Sequence, residues 1–285
     1  MITAKIIADS ISTNDVRITT MELNYPRFIH SEFMTHRMFS RNASSSRAIP
    51  VEKMLKQVQE TPAMPIHWGK NQPGMQAKEE IEFIQDAEVY WEEACNDTIY
   101  WVNHLNRLGL HKQVINRLLE PFQYIKVIVT ATEWDNFFKL RLHEDAQPEM
   151  MVLAEHMQAA MDNSVPAALQ HGEWHLPYIG DLAYGDDEWY PFTTEQAIKC
   201  SVARCARVSY LNHDNSNPSI EKDIDLYNKL LEAGHMSPFE HQATPMRADS
   251  FNVHAEDGIT HEDRYGNLWS GNFRGWIMYR ALLDG

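Results

Sequence analysis

Ile2-Thr3-Ala4-Lys5-Ile6-Ile7-Ala8 and Val16-Arg17-Ile18-Thr19-Thr20-Met21-Glu22-Leu23 alternate in polarity and are rich in β-branched residues. Both predict strands, joined around Ser12-Thr13-Asn14-Asp15. Pro26 then suits the first turn of a helix, where its missing N–H costs nothing. From Arg27 to Arg37, Phe28, Ile29, Phe33 and Met34 form an apolar stripe at helical spacing. Paired strands followed by a helix open an α+β pattern.

The predicted helix runs into Thr35-His36-Arg37-Met38-Phe39-Ser40-Arg41-Asn42-Ala43-Ser44-Ser45-Ser46-Arg47, with three arginines, one histidine and four serines. Guanidinium forks bind phosphate bidentately, and serine hydroxyls with loop N–H groups complete an anion cradle. The segment therefore reads as a nucleotide-phosphate site at a helix end. Its basic character is a local exception, because the 285-residue chain carries a formal charge of −15. Such a surface repels a phosphate backbone, so no nucleic-acid partner is expected.

Hydrophobic content of 44% and charged content of 23% fit a globular protein of one large domain or two small ones. With no apolar run of ~18 residues, no membrane span is expected. Met1-Ile2-Thr3-Ala4-Lys5 lacks signal-peptide character. Cys95, Cys200 and Cys205 form no CxxC pair, so idle or buried thiols in a cytoplasmic protein are expected. The fourteen histidines fall in no HExxH or tight ligand spacing, so no metal site is expected.

Further along, 60–75 reads as an irregular loop and 77–108 as a long helix stopped by Gly109. Residues 111–120 read as another helix, and Tyr124–Thr130 as a strand. A helical pattern from Glu133 to about Asp162 is interrupted at His143-Glu144-Asp145. Residues 163–193 form a loop-rich connector whose aromatics need burial. Thr194–Val208, Ile220–Ala233 and Asn272–Leu283 are expected as helices, with Gly234 a C-terminal stop.

Four segments together resemble the flavin-dependent thymidylate synthases. Thr35-His36-Arg37, seven residues and Ser45 are similar to that family's Arg-His-Arg signature, and Ser45-Ser46-Arg47 supplies its ending. Asn116-Arg117-Leu118-Leu119-Glu120-Pro121 resembles its Ala-Arg-x-x-Leu-Pro. Asn136-Phe137-Phe138-Lys139-Leu140-Arg141 with Asp145-Ala146-Gln147-Pro148-Glu149 resembles its Asn-Phe-Leu-x-Leu-Arg and Ala-Gln-x-Glu. The fourth segment is Ala206-Arg207-Val208-Ser209-Tyr210, followed by Ser237-Pro238-Phe239-Glu240-His241. In the family this last pair precedes the Arg-His-Arg element, so the order here implies a circular permutation.

The resemblance implies an α+β subunit around a twisted antiparallel sheet, assembled as a homotetramer. It implies a single catalytic domain over 1–285, with signature half 1–162, connector 163–193 and second half 194–285. The implied reaction moves a one-carbon unit from methylenetetrahydrofolate to C5 of dUMP, with FAD as cofactor and NADPH as reductant. Arg141 corresponds to the arginine that polarises the uracil ring. Ser44, Ser45, Ser46, Arg47, Arg117 and Glu32 correspond to dUMP-contacting positions. His36, Arg37, Met38, Asn136 and His241 correspond to flavin-contacting positions.

Each residue also has a plainer reading. Arg141 could pair with Glu144 or Asp145 on a helix surface, and His241 could be a hydrogen-bonded core residue. Thr35 replaces the first signature arginine, Glu32 stands where the family often has glutamine, and Thr130-Ala131-Thr132-Glu133 replaces a flavin-binding Asn-x-Arg. Arg41 is a candidate replacement cation. The sequence leaves open a C5-hydroxymethylating enzyme, a non-catalytic nucleotide- or flavin-binding homologue, and a structural α+β protein.

Overall fold

The computed structural model describes all residues except 181–183, 189, 210–218, 248–257 and 284–285. β1 (Thr3–Ser12) and β2 (Arg17–Pro26) form the expected antiparallel hairpin. Asp15 closes its turn at φ 56, a left-handed conformation that short polar side chains tolerate. β3 (Ser40–Ala43), β4 (Tyr124–Ala131) and β5 (Ala167–Leu169) complete a sheet in the order β3-β4-β2-β1-β5. The pairings are antiparallel except β1 with β5.

Central strands β2 and β4 are covered on both faces, which explains their high apolar content. Side chains alternate across the sheet. On one face Met21, Leu23, Val127 and Val129 pack with Phe33, Phe137, Met150 and Leu153. Ile18 and Ile128 point the other way, Ile18 onto Phe273 and Trp276, and Ile128 onto Cys205 and Val208.

The helices are α1 (His30–Phe33), α2 (Val51–Glu60), α3 (Ile84–Arg107), α4 (Lys112–Leu118), α5 (Asp135–Arg141), α6 (Pro148–Asp162), α7 (Thr194–Ala206), α8 (Ile220–Glu232) and α9 (Tyr279–Leu283). α2, α3 and α4 enclose their own core around Met54, Val58, Cys95, Val102, Ile115 and Leu119. α7 starts at a reciprocal capping box between Thr193 and Gln196, which satisfies two backbone donors that a helix start leaves unpaired. Gly109 (φ 77) and Gly234 (φ 67) follow α3 and α8 in the left-handed conformation expected of helix stops.

Several expectations need correction. The stripe of 27–37 gives only a 3-10 turn (Arg27–Ile29) and the four-residue α1, and Pro26 ends β2 instead of opening a helix. The Arg/Ser cluster is not a free loop, since Ser40–Ala43 pairs with Val127–Thr130 as edge strand β3. Residues 272–283 are not one helix. After β6 (Ala243–Pro245), β7 (His261–Glu262) and β8 (Leu268–Ser270), the chain forms β9 (Phe273–Arg274) and β10 (Trp276–Met278) before α9. Gly275 at φ 69 breaks any helix there. Trp276 is buried and its Nε1 donates to Val16 O at 3.0 Å, locking the strand to the hairpin. The three cysteines are free and buried. Among the described residues no helix is long and apolar enough to cross a membrane, and no His/Cys/Asp/Glu group could hold a metal.

Candidate active site

Three of the four sequence segments meet at the two ends of β3: the third reaches the first at His36, before the strand, and the second reaches the first at Ser46, after it. Arg141, on the last turn of α5, donates from Nε to His36 Nε2 at 2.9 Å and from Nη2 to Thr35 Oγ1 at 3.4 Å. The pairing with Glu144 or Asp145 does not form; Glu144 lies near Lys78 and Asp145 near His143. His36 is wedged between Phe39 and Phe137, with ring centroids 5.8 and 4.8 Å away. Burial, then the charges of Arg141 and Arg41, pull its pKa down to about 4. It is therefore a neutral acceptor that aims the guanidinium.

Arg41 is not a ligand-facing cation. Its Nη1 donates to the carbonyls of Met34 and His36 at 2.9 and 3.0 Å, stapling the turn that carries Thr35 and His36. Thr35 is itself tied to Glu32 O through its hydroxyl at 2.7 Å.

Beside this turn Arg37, Met34, Met38, Asn136 and Leu140 are exposed. Apolar surface edged by a free-standing amide and cations is the chemistry a planar isoalloxazine with a pyrophosphate tail requires. The exposed residues fit a flavin on this ground. His241 does not belong to that surface. It is fully buried, with Nδ1 hydrogen-bonded to Thr130 Oγ1 at 2.8 Å, because the 3-10 turn Ser237–Glu240 packs it under the sheet.

The serines divide between two sides. Ser44 extends the β3–β4 ladder, its N–H donating to Lys126 O at 2.9 Å. Ser44 and Ser46 line a cavity of about 390 Å³ together with Arg27, Lys53, Lys56 and Lys126. Ser45, Arg47 and Arg117 lie outside that lining, and Arg47 and Arg117 are exposed. Asn116, fully buried on α4, holds the loop by donating to Ser46 O at 2.7 Å and Ile49 O at 3.0 Å. Lys112 Nζ adds a bond to Ala48 O at 2.8 Å. The first position of the Asn-Arg-x-x-Glu-Pro segment is thus a loop anchor, and its second, Arg117, faces solvent.

The fourth segment is structural where it can be seen. Arg207 Nη2 lies 3.1 Å from Asp223 Oδ1, and Arg204 Nε donates to Asp223 Oδ2 at 3.0 Å. Tyr210 lies outside the described residues. Ser237 Oγ donates to Asn42 Oδ1 at 3.4 Å, and Asn42 Nδ2 donates to Cys205 O at 2.8 Å. The segments around Cys205 and Ser237 are therefore sewn to the signature strand β3.

A second buried element was not foreseen from sequence. His175, in the connector, bonds Ser10 Oγ through Nδ1 at 2.9 Å and Thr20 Oγ1 through Nε2 at 2.8 Å. Thr20 meets Thr130 at 2.7 Å, and Thr130 meets His241. This chain crosses β1, β2, β4 and both halves of the protein. Burial drives the pKa of both His175 and His241 down to about 3. A lone histidine in an aromatic connector carries no sequence signal for such a role.

An antiparallel-dominated sheet flanked by helices, with an arginine aimed by a signature histidine, defines an α+β framework. The family model described as "Thymidylate synthase complementing protein" matches residues 12–167, more than half of the chain, and the chain belongs to that family. No curated protein matches its sequence. Among solved structures it is similar to a UMP/dUMP methylase, PolB, from Streptomyces cacaoi bound with 5-Br dUMP, at 16% identity and TM-score 0.46, over 56% of this chain and 90% of that one. It is also similar to Thymidylate Synthase X from Helicobacter pylori with FAD and dUMP, at 14% identity and TM-score 0.38, over 50% and 67% of the two chains.

Proposed function

We propose that the protein is an FAD-dependent enzyme that transfers a one-carbon unit from methylenetetrahydrofolate to C5 of dUMP, giving dTMP. The observation that carries this reading is the Arg141–His36 contact, which joins two separated segments of the family pattern into one cationic centre. A fixed guanidinium beside a uracil ring stabilises the negative charge left by loss of the N3 proton and so raises nucleophilicity at C5. Neutral His36 keeps that guanidinium in place without competing for the charge. Ser44, Ser45, Ser46, Arg47 and Arg117 hold the 5′-phosphate. Glu32 accepts from a sugar hydroxyl. A bound flavin would supply the reducing equivalents that complete a methyl group, with NADPH as the reductant. Arg37, Met38 and Asn136 bind and orient the flavin, and the buried His241 acts only by supporting β4 beneath.

The catalytic domain spans 1–285 with the motif order permuted. Contacts of Ser237 and Cys205 with Asn42 support this, because they seat the late segments against the signature strand. The working state is a homotetramer. Supporting it, Val89, Tyr90, Tyr100, Trp101 and Leu108 are exposed on one side of α3, interleaved with exposed Asp86, Glu93 and Asp97, a mix of large apolar and charged side chains suited to a protein interface.

The deciding experiment is to purify the protein, record its absorption and supply dUMP, methylenetetrahydrofolate and NADPH. Flavin bands near about 370 and 450 nm with formation of dTMP are expected. A colourless protein that takes up no FAD and forms no dTMP would sink the proposal.

A further inference from the structure

Three donors, two of them from the cavity lining, converge on a single carboxylate oxygen. Arg27 Nη2 and Arg117 Nη1 each lie 3.0 Å from Glu120 Oε1, and Ser46 Oγ donates to the same atom at 3.2 Å. Two guanidinium forks and a buried hydroxyl are the donor set of a phosphate cradle. Here an internal carboxylate already occupies it. Glu120 stands at the motif position where the resembling family has leucine, so the anion is a property of this chain.

The surroundings favour an anion. Arg27 and Ser46 line the cavity with Lys53, Lys56 and Lys126. The carboxylates that face these cations are few. Glu60, on the lining, lies 3.7 Å from Lys56, and Glu22 lies 3.8 Å from Lys126. Glu120 is partly exposed, at 26% of its side chain, so it can swing out without crossing a packed core. Ser46 is held rigid by Asn116. The cradle therefore keeps its shape when the carboxylate leaves.

We propose that Glu120 is a resident anion and that a phosphomonoester binds this cradle by exchanging with it, with Arg27 and Ser46 taking up the phosphate alongside Arg117. This deepens the proposed function, on which it rests for the identity of the nucleotide. Exchange makes the site selective for charge. A dianionic phosphate displaces the carboxylate, whereas an uncharged nucleoside gains nothing from the cradle.

The test is binding of inorganic phosphate, dUMP and deoxyuridine to the full-length wild type and to Glu120→Gln, by calorimetry. Glutamine keeps the shape and removes the competing charge. Expected is about tenfold tighter binding of phosphate and dUMP with deoxyuridine unchanged. Equal or weaker phosphate binding by a folded Glu120→Gln overturns the exchange. Should that variant not fold, a structure of the wild type with dUMP decides. Phosphate between Arg27 and Arg117 with Glu120 turned away supports the exchange, and Glu120 still on both arginines overturns it. A tenfold gain for phosphate without any dUMP turnover would remove the proposed reaction and leave the exchange standing. Turnover of dUMP without the gain would remove the exchange alone.

Discussion

Arg141 Nε donates to the unprotonated Nε2 of His36 at 2.9 Å, tying the end of α5 to the turn after α1. Since burial keeps the imidazole pKa near 4, the bond survives at neutral pH and breaks only when acid protonates the acceptor. His36→Phe preserves the packing against Phe39 and Phe137 but deletes the acceptor. With Arg141 then free to swing, kcat for dUMP should fall by about 10- to 100-fold, with little change in melting temperature. His36→Gln, which can present an amide oxygen, should recover part of the loss. Equal kcat for His36→Phe and the wild type would show that Arg141 is positioned by something else.

Arg141 itself supplies the charge. Arg141→Lys keeps a cation but loses the planar fork that reaches both His36 and Thr35. Both Arg141→Lys and Arg141→Ala should lower kcat by about 100- to 1000-fold, with the lysine variant at the milder end. Steady-state kinetics at saturating dUMP check this. A loss confined to KM would assign Arg141 to binding instead.

The hairpin and β4 were legible because strands buried on both faces or alternating in polarity leave strong periodic signals. Arg141 and Arg117 were singled out as candidates by the resemblance of their segments to the family's. What sequence concealed were the contacts that depend on tertiary position. Ser40–Ala43 looks like loop because its polar composition suits an edge strand as well as a turn. Phe273 to Met278 has helical spacing, yet burial of Trp276 under the hairpin and a left-handed Gly275 override it. His241 matched a ligand-contacting position, but only the fold reveals that the position lies under the sheet. Arg27 and Ser46 reach Glu120 from more than seventy positions away, and only the Arg117 contact is local, so no local pattern announces their convergence.

The exposed side of α3 offers a direct test of assembly. Tyr100 and Trp101 are more than half exposed, and their rings meet edge to face at 5.0 Å. In the homotetramer proposed above they are buried against a second copy. Trp101→Glu removes a large apolar anchor and adds a third acidic group to the stripe that already holds Glu93 and Asp97, and should shift the protein to a smaller species in light scattering. The subunit's helix content should stay unchanged, because the opposite side of α3, with Cys95 and Val102, carries its own core. A tetramer of undiminished stability would remove α3 from the interface.

Thr130 is the joint of the buried polar chain, touching Thr20 at 2.7 Å and His241 at 2.8 Å. Thr130→Val conserves shape and strand propensity but leaves His241 Nδ1 without its partner. An unsatisfied buried group costs about 1–3 kcal/mol. Urea denaturation should show a loss of that size with an unchanged m-value. A loss below about 0.5 kcal/mol would mean that the histidine finds another partner or water.

The same chain makes stability depend on acid. His175 and His241 hold pKa values near 3 in the folded protein because burial disfavours their charged forms. Unfolded, each titrates at about 6.5. Between these values the unfolded chain binds protons that the native one does not, so stability rises with pH. Read downward, it begins to fall near pH 6.5 and continues toward pH 3. Each such group contributes about 1.4 kcal/mol per pH unit within the window, or about 2.7 for the pair. His30 and His36, held near 4 with burial as the leading cause, steepen the slope above pH 4. Urea midpoints at pH 7.5, 6.0 and 5.0 should therefore drop progressively, before most carboxylates titrate. His241→Asn should reduce the slope by one histidine's share even where it lowers stability at pH 7.5. A midpoint that stays flat from pH 6.0 to 5.0 would show that these histidines reach water in the native state.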